Sequence, residues 1–194
     1  TPEIKGLADI NLIKKGDLWV LPGNMDLYRL EMVSGEGKEN SLKRFIDKAI
    51  APKNFDYVII DTPPTPSMWM TSALIASDYY VIPVRPDPMS MIGIDLLRTI
   101  IERRRNMYDL GIKGLGVVFT MVERHDSIIF SNAKQNLAGN TQWKDRVFKA
   151  YILKRSELAK TQLSQPFIML GSDFDLRNNL KAFVEEMLVK IDAT

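Results

Sequence analysis

The residues of this chain best placed to do chemistry are Phe55-Asp56-Tyr57-Val58-Ile59-Ile60-Asp61-Thr62-Pro63-Pro64. Tyr57 to Ile60 is an unbroken apolar run of β-branched and aromatic residues, the pattern of a strand covered on both faces, as parallel strands are. Asp61 follows at what would be the carboxyl end, where ligands of open parallel sheets bind and helix N-termini converge. A carboxylate there can hold a hydrated Mg²⁺ beside a phosphate. Pro63 and Pro64 fix φ and remove two backbone donors, so the chain after the acid must be a shaped loop rather than more strand or helix. Taken alone, the pattern equally suits Asp61 as a turn residue that ends a core strand.

The elements needed to position such a site follow in alternation. A short strand is expected over Asp17 to Leu21 and a turn at Pro22-Gly23-Asn24. Ser41 is expected to cap a helix to about Ile50, with Leu42, Phe45, Ile46 and Ala49 as its apolar stripe. After the strand at Tyr57 to Ile60 come a helix from about Ser67 to Ala76, a strand from Tyr79 to Val84 and a long helix from about Met89 to Tyr108. A strand over Gly114 to Met121, a helix over Ser127 to Leu137 and a strand over Val147 to Ile152 lead to a final helix, about Leu176 to Ile191. That helix should present Leu180, Phe183, Val184, Met187 and Ile191 on one side. The alternation predicts an α/β fold, a mainly parallel sheet with helices on both faces in three α/β/α layers.

Composition narrows the chemistry further. The chain has 194 residues, 45% hydrophobic and 26% charged, enough for one sizeable core. With no cysteine there is no disulfide scaffold, thiolate metal site or cysteine nucleophile. One histidine, His125, leaves no His-rich metal site and reads as a solvated polar residue of the loop Glu123-Arg124-His125-Asp126. No apolar run approaches the length of a bilayer crossing.

Beyond the Asp61 element, Ser72-Ala73-Leu74-Ile75-Ala76-Ser77-Asp78-Tyr79-Tyr80-Val81-Ile82-Pro83-Val84-Arg85-Pro86-Asp87 resembles a NALxAADxVLIPVxPE segment. Gly114 to Thr120 is similar to the strand that follows it. Val147 to Ile152, Ser156 to Thr161 and Gln165 to Ile168 keep the order VFxTxIPRxxxLxEAxxxGxPI. These motifs resemble the ParA/MinD (Soj-like) family of deviant Walker-motif P-loop ATPases, traceable from about Leu18 to the last helix. The family's K-G-G-x-G-K-[ST] phosphate loop and D-x-D-x-Q segment do not occur, and Ser34-Gly35-Glu36-Gly37-Lys38-Glu39 fails on spacing. Residues 1–194 are accordingly expected to form a single ParA-type ATPase domain without its N-terminal phosphate-loop portion, the C-terminal three-quarters of a longer ATPase.

The resemblance implies a partition ATPase in which ATP closes a homodimer that binds DNA non-specifically, and hydrolysis, stimulated by a centromere-binding ParB-type partner, releases it. Its cofactors would be ATP and Mg²⁺, and its location the cytoplasm, on the nucleoid. Asp61 would be the catalytic carboxylate that orders Mg²⁺ through water, and Thr62, Pro63 and Pro64 the loop that responds to nucleotide state. Thr120 or Met121 stands where relatives carry an adenine-contacting Asn, and Ile152-Leu153-Lys154 where many have Ile-Pro-Arg, so the base contacts depart from the family pattern. Thr120 reads equally as a strand-end residue.

For DNA, the segment from Ile101 to Lys160 holds twelve Lys/Arg against six Asp/Glu, so the basic excess is local. Lys149, Lys154, Arg155, Arg177 and Lys181 fall where relatives bind DNA backbone, and Arg177 with Lys181 is expected to carry most of it. Arg103-Arg104-Arg105 reads as a solvated helix face. Met68-Trp69-Met70 and Met89-Ser90-Met91-Ile92-Gly93 read as core fillers, with an exposed Met68/Trp69 edge as the alternative, a dimer or partner contact.

Three rival readings stand beside this one. A MinD-like positioning ATPase would bind membrane, but the terminal Val184 to Asp192 segment is acidic and packs as a core helix rather than as a basic amphipathic one, so no membrane is expected. A bacterial tyrosine kinase would end in a tyrosine cluster soon after its DTPP segment, whereas Tyr151 is the last tyrosine here. A non-catalytic interaction domain would simply lack the phosphate loop.

Overall fold

The computed structural model describes residues 12–23, 37–63, 65–156 and 168–194. Pro64, Asn24, residues 34–36 and the motif stretches 157–161 and 165–167 lie outside them. The chain forms two compact units, Thr1–Ala76 and Ser77–Thr194.

In the first unit, β1 (Ile13–Lys15) and β2 (Leu18–Val20) form an antiparallel ribbon, with Lys15 opposite Leu18. Gly16, at φ +64°, opens the two-residue turn between them, a conformation that favours glycine. A 3₁₀ turn (Lys38–Asn40) leads into α1 (Ser41–Phe45) and a π-helical turn (Ile46–Ile50). Leu42, Phe45, Ile46 and Ala49 are half-buried and Ile50 is buried, so the apolar stripe is as expected. Ser41 is not the cap. Asn40 precedes the helix without a side-chain cap, and the Ser41 hydroxyl accepts from Arg44 Nη2 at 3.1 Å. Helix α2 (Met68–Ala76) buries Met70, Thr71, Ser72, Ala73 and Leu74, while Met68 and Trp69 are half-buried.

The strand expected at Tyr57 to Ile60 is not formed. These residues are irregular, and Tyr57, Val58 and Ile59 are 60%, 50% and 87% exposed. A run that is apolar on both faces becomes a strand only with a hydrogen-bonded neighbour and a layer above and below it. Just before this stretch, Phe55 meets the Trp19 ring edge-on at 6.3 Å, and among the described residues the ribbon pairs only with itself.

The second unit holds the α/β/α layers. Its sheet has β3 (Tyr79–Val84), β4 (Lys113–Val122) and β5 (Val147–Leu153) in that spatial order, all parallel. Helices α3 (Pro88–Tyr108), α4 (Ile128–Gly139) and α5 (Phe174–Asp192) complete it. Asp87, Ser127 and Asp173 cap α3, α4 and α5, each side chain accepting from the amide three residues on.

A bulge decides which face each strand residue meets. Tyr80 pairs with Gly114 and Val81 with Gly116, so Leu115 is an extra residue in β4. The extra step switches side-chain parity and puts both Leu115 and Val118 on the face where Phe148 of β5 packs against Phe183, Met187 and Ile191 of α5. Leu180 of that helix is half-buried, but Val184 is exposed, so the predicted stripe loses one member. On the opposite face, Phe119 meets Phe130 of α4 edge-on at 5.3 Å, and Phe130 meets Tyr151 at 5.1 Å. Helix α3 joins that layer through Asp95, which accepts from the buried Trp143 Nε1 at 2.7 Å.

β5 bulges as well. Between Val117↔Val147 and Phe119↔Tyr151 it spends four residues where β4 spends two. The amides of Lys149 and Ala150, turned out of the ladder, donate to the Glu186 carboxylate of α5 at 2.9 and 3.0 Å. Among the described residues no helix is long and apolar enough to cross a membrane.

Candidate functional site

The carboxyl ends of the three parallel strands gather the residues expected to face a nucleotide base. Val122 pairs with Leu153, and the Lys154 amide donates to the Val122 carbonyl at 2.8 Å, so Thr120, Met121, Ile152, Leu153 and Lys154 share one edge. The Thr120 hydroxyl donates to the Val84 carbonyl at 3.4 Å, tying the end of β4 to the end of β3. It therefore closes a strand end, which is the plainer of its two readings. Met121 is held at φ +56°, a conformation that costs a non-glycine residue of order 1–3 kcal/mol and that recurs at functional sites. Its side chain is 46% exposed at this edge, between Phe119 and Val122, which are both buried.

The cations of the edge are already engaged. Lys154 Nζ lies 2.6 Å from Glu123 Oε1, and this hydrogen bond, with the lysine's charge, holds the Glu123 carboxyl below the usual glutamate value. Arg155 donates through Nε to Asp173 Oδ2, and its Nη2 lies 3.9 Å from Asp175. Asp173 also caps α5, accepting from the Leu176 amide at 2.8 Å. The Arg155 hydrogen bond first, and the cap second, hold its carboxyl below the usual aspartate value.

That shift fixes the sign of a pH effect. A carboxylate with a lowered folded-state pKa adds stability above its unfolded value and loses it as pH falls through the folded one. Asp173→Asn should therefore lower the thermal midpoint at pH 7, and the gap from the parent protein should close as pH drops below about 4. Paired melts at pH 7 and pH 3 check this, and an equal gap at both would remove Asp173's charge from the account.

The other residues expected to contact DNA divide in the same way. Lys181 is 3.8 Å from Glu185 one turn on, and Arg177 is half-buried with Nε buried and unpartnered. Lys149 is exposed and in no ion pair among the described residues. Of the arginine triplet, Arg103 is exposed and Arg104 half-buried, while Arg105 is held by a partner. It is half-buried, bonds Glu102 at 3.1 Å and lies close enough to Tyr80 for its charge to be felt there. Met89 and Ile92 are exposed rather than core fillers, Met91 is half-buried, and His125 is exposed as expected. Glu123, Asp173 and Glu185, the carboxylates that hold the cations, were not among the predicted site residues. Only Glu185 carries a local signal, its four-residue spacing from Lys181 on one helix.

Asp61, Thr62 and Pro63 belong to the first unit, where all three are exposed in irregular chain. A single solvent-facing carboxylate fits a hydrated Mg²⁺, which takes one or two carboxylates and keeps several waters. Among the described residues no cluster of three His, Cys, Asp or Glu could enclose a metal.

Residues 5–112 match the family model described as an AAA domain. The chain is 29% identical over 135 residues to the chromosome partitioning protein ParA of Caulobacter vibrioides, covering 69% of this chain and 49% of that protein. It is 30% identical over 152 residues to the sporulation initiation inhibitor protein Soj of Bacillus subtilis, 74% of this chain and 56% of that one. This chain thus spans about half the length of the curated relatives it matches.

Solved structures share the fold. A plasmid partition protein of Borrelia burgdorferi bound to AMPPNP superposes with TM-score 0.74 at 19% identity, over 92% of this chain and 68% of that one. Cobyrinic acid a,c-diamide synthase of Mycobacterium smegmatis, with an ATP analogue and magnesium, gives 0.64 at 22% identity, over 78% and 65%. The pNOB8 ParA bound to nonspecific DNA gives 0.58 at 20% identity, over 94% and 70%.

Proposed function

Because this chain belongs to the AAA domain family, among its ParA-type partition ATPases, we propose that it works in an ATP-dependent partition ATPase that moves plasmid or chromosomal DNA. The observation that carries this reading is the family match over residues 5–112, which contains Asp61-Thr62-Pro63-Pro64 and the whole of β3. In this reading ATP closes a homodimer that binds DNA without regard to sequence, and a ParB-type partner stimulates hydrolysis and release. The protein then acts in the cytoplasm, on the nucleoid.

Residues 1–194 form one ATPase domain in this reading, completed by a phosphate loop from sequence outside them. Asp61 holds a hydrated Mg²⁺, and Thr62, Pro63 and Pro64 shape the loop that senses the nucleotide. Bound Mg²⁺ would offset charge on the phosphate oxygens, and phosphoryl transfer to water needs little beyond that and positioning. No covalent nucleophile is required of this chain. Thr120, Met121, Ile152, Leu153 and Lys154 line the base end. With the Thr120 hydroxyl engaged by Val84, base selection falls to backbone groups and to the Met121 side chain.

The test compares two proteins. Calorimetry on these 194 residues should show no measurable ATP affinity, since their sequence holds no G-x-x-x-x-G-K-[ST] loop to cradle phosphates. The loop-containing protein should hydrolyse Mg-ATP slowly and bind unrelated duplexes alike in ATP. Absence of turnover with DNA binding intact would favour the non-catalytic interaction domain. Co-sedimentation with anionic vesicles and no affinity for DNA would favour the MinD-like reading.

A further inference from the structure

A groove far from the strand carboxyl ends gathers three lysines that form no ion pair among the described residues. It has a volume of about 290 Å³ and lies between the second half of α4 and the start of β5. Lys134, Lys144 and Lys149 line it over a floor that includes Val147 and Phe148. All three lysines are exposed, and none forms an ion pair among the described residues. Residues 134–149 hold four Lys/Arg against one carboxylate, Asp145, so the segment does not neutralise itself.

The backbone fixes two of these lysines in place. Lys144 sits in a turn, its amide donating to the Asn140 carbonyl at 2.9 Å. Lys149 sits on the β5 bulge, its amide held by Glu186. The third, Lys134, lies 5.2 Å over the Phe130 ring on α4.

We propose that the groove lined by Lys134, Lys144 and Lys149 is the surface of this chain that grips the phosphodiester backbone of duplex DNA. The inference rests on the DNA-binding reading above and relocates its contact surface. Lys154, Arg155 and Lys181 face carboxylates and would have to leave them to bind phosphate, whereas the groove lysines have no carboxylate partner among the described residues. Lysine is a point charge that suits phosphate without a fixed geometry, so such a grip carries no sequence information. Concavity favours a protruding phosphate ridge over a flat lipid surface. The exposed aliphatic residues of α4, Ile128 and Ile129, sit at the opposite end of that helix, leaving none at the groove to insert into a bilayer.

Fluorescence anisotropy of the loop-containing protein with ATP on a labelled duplex of arbitrary sequence, from about 50 to about 200 mM salt, tests this. Lys134→Ala/Lys144→Ala/Lys149→Ala should weaken binding at least tenfold at 50 mM. It should also flatten the slope of log K against log salt by about 0.9 for each lost contact. The corresponding triple Lys→Arg variant should retain both affinity and slope, and circular dichroism should show both variants folded. Arg177→Ala/Lys181→Ala should change affinity less than threefold. Binding that survives the triple alanine change but not the Arg177/Lys181 change would overturn the groove and leave the DNA reading standing. If neither this chain nor the loop-containing protein with ATP binds duplex at 50 mM salt, the DNA reading fails and the groove with it. Lysine-dependent capture of a poly-glutamate peptide or of phosphatidylserine vesicles, without duplex binding, would reassign the groove to that partner and overturn the proposal.

Discussion

Replacing Asp61 with alanine in the protein that carries the phosphate loop should lower ATP turnover by roughly two to three orders of magnitude and leave the fold unchanged. The size follows from removing a group that stabilises charge at a phosphoryl-transfer site, where the loss of one such contact costs about 10²–10³ in rate. The separation of activity from folding follows from the structure. Asp61 is exposed in irregular chain and has no hydrogen bond or ion pair among the described residues, so its truncation removes nothing that holds the fold. Asp61→Asn keeps the shape and loses the charge, and should fall nearly as far. A phosphate-release assay with far-ultraviolet circular dichroism decides the matter: turnover within twofold of the parent protein would take Asp61 out of the metal site.

Gly116→Ala should produce the largest loss of stability. Gly116 sits at φ +133°, where side chains are strained, and an added Cβ would lie 2.0 Å from the Arg146 carbonyl oxygen. That oxygen accepts from the Val117 amide at 2.7 Å, and Val117 is fully buried and pairs with Val147. The clash is thus with backbone that the ladder holds in place. Strain and overpacking of 1–3 kcal/mol each combine to about 3 kcal/mol or more, or a melting point roughly 10 °C lower. Gly93→Ala in α3 is the control, because its Cβ would meet nothing within 4 Å. Helix propensity should make that change neutral or stabilising by up to about 1 kcal/mol. Equal melting points for the two variants would refute the account.

How far the sequence disclosed this molecule depends on where each residue finds its partner. Tyr79 to Val84, the Val117 strand and the Val147 strand read correctly as buried strands because their apolar runs pair with one another within the chain. The run at Tyr57 to Ile60 has the same composition and no pairing partner among the described residues, so composition alone misjudged it. β1 was missed because Ile13-Lys14-Lys15 has too little apolar pattern to separate from loop. Thr120 and Met121 lie beside Leu153 and Lys154 because parallel strands bring their carboxyl ends to one edge. Which lysines and arginines were spoken for was not legible. Lys154 meets Glu123 across 31 positions and Arg155 meets Asp173 across 18, distances that only the folded chain closes. Lys134, Lys144 and Lys149 likewise come together at one groove only in the folded chain.

The carboxylate that takes the two amides of the β5 bulge also changes what that strand can become. β5 is the last strand of its sheet among the described residues, and a terminal strand with a regular row of free amides can recruit a strand from another molecule and seed fibrils. Here the row is broken by the bulge, and the amides it turns outward are occupied by Glu186, a group that cannot pass the pairing on. Helix α5 thereby works as a terminator of sheet growth as well as a core layer.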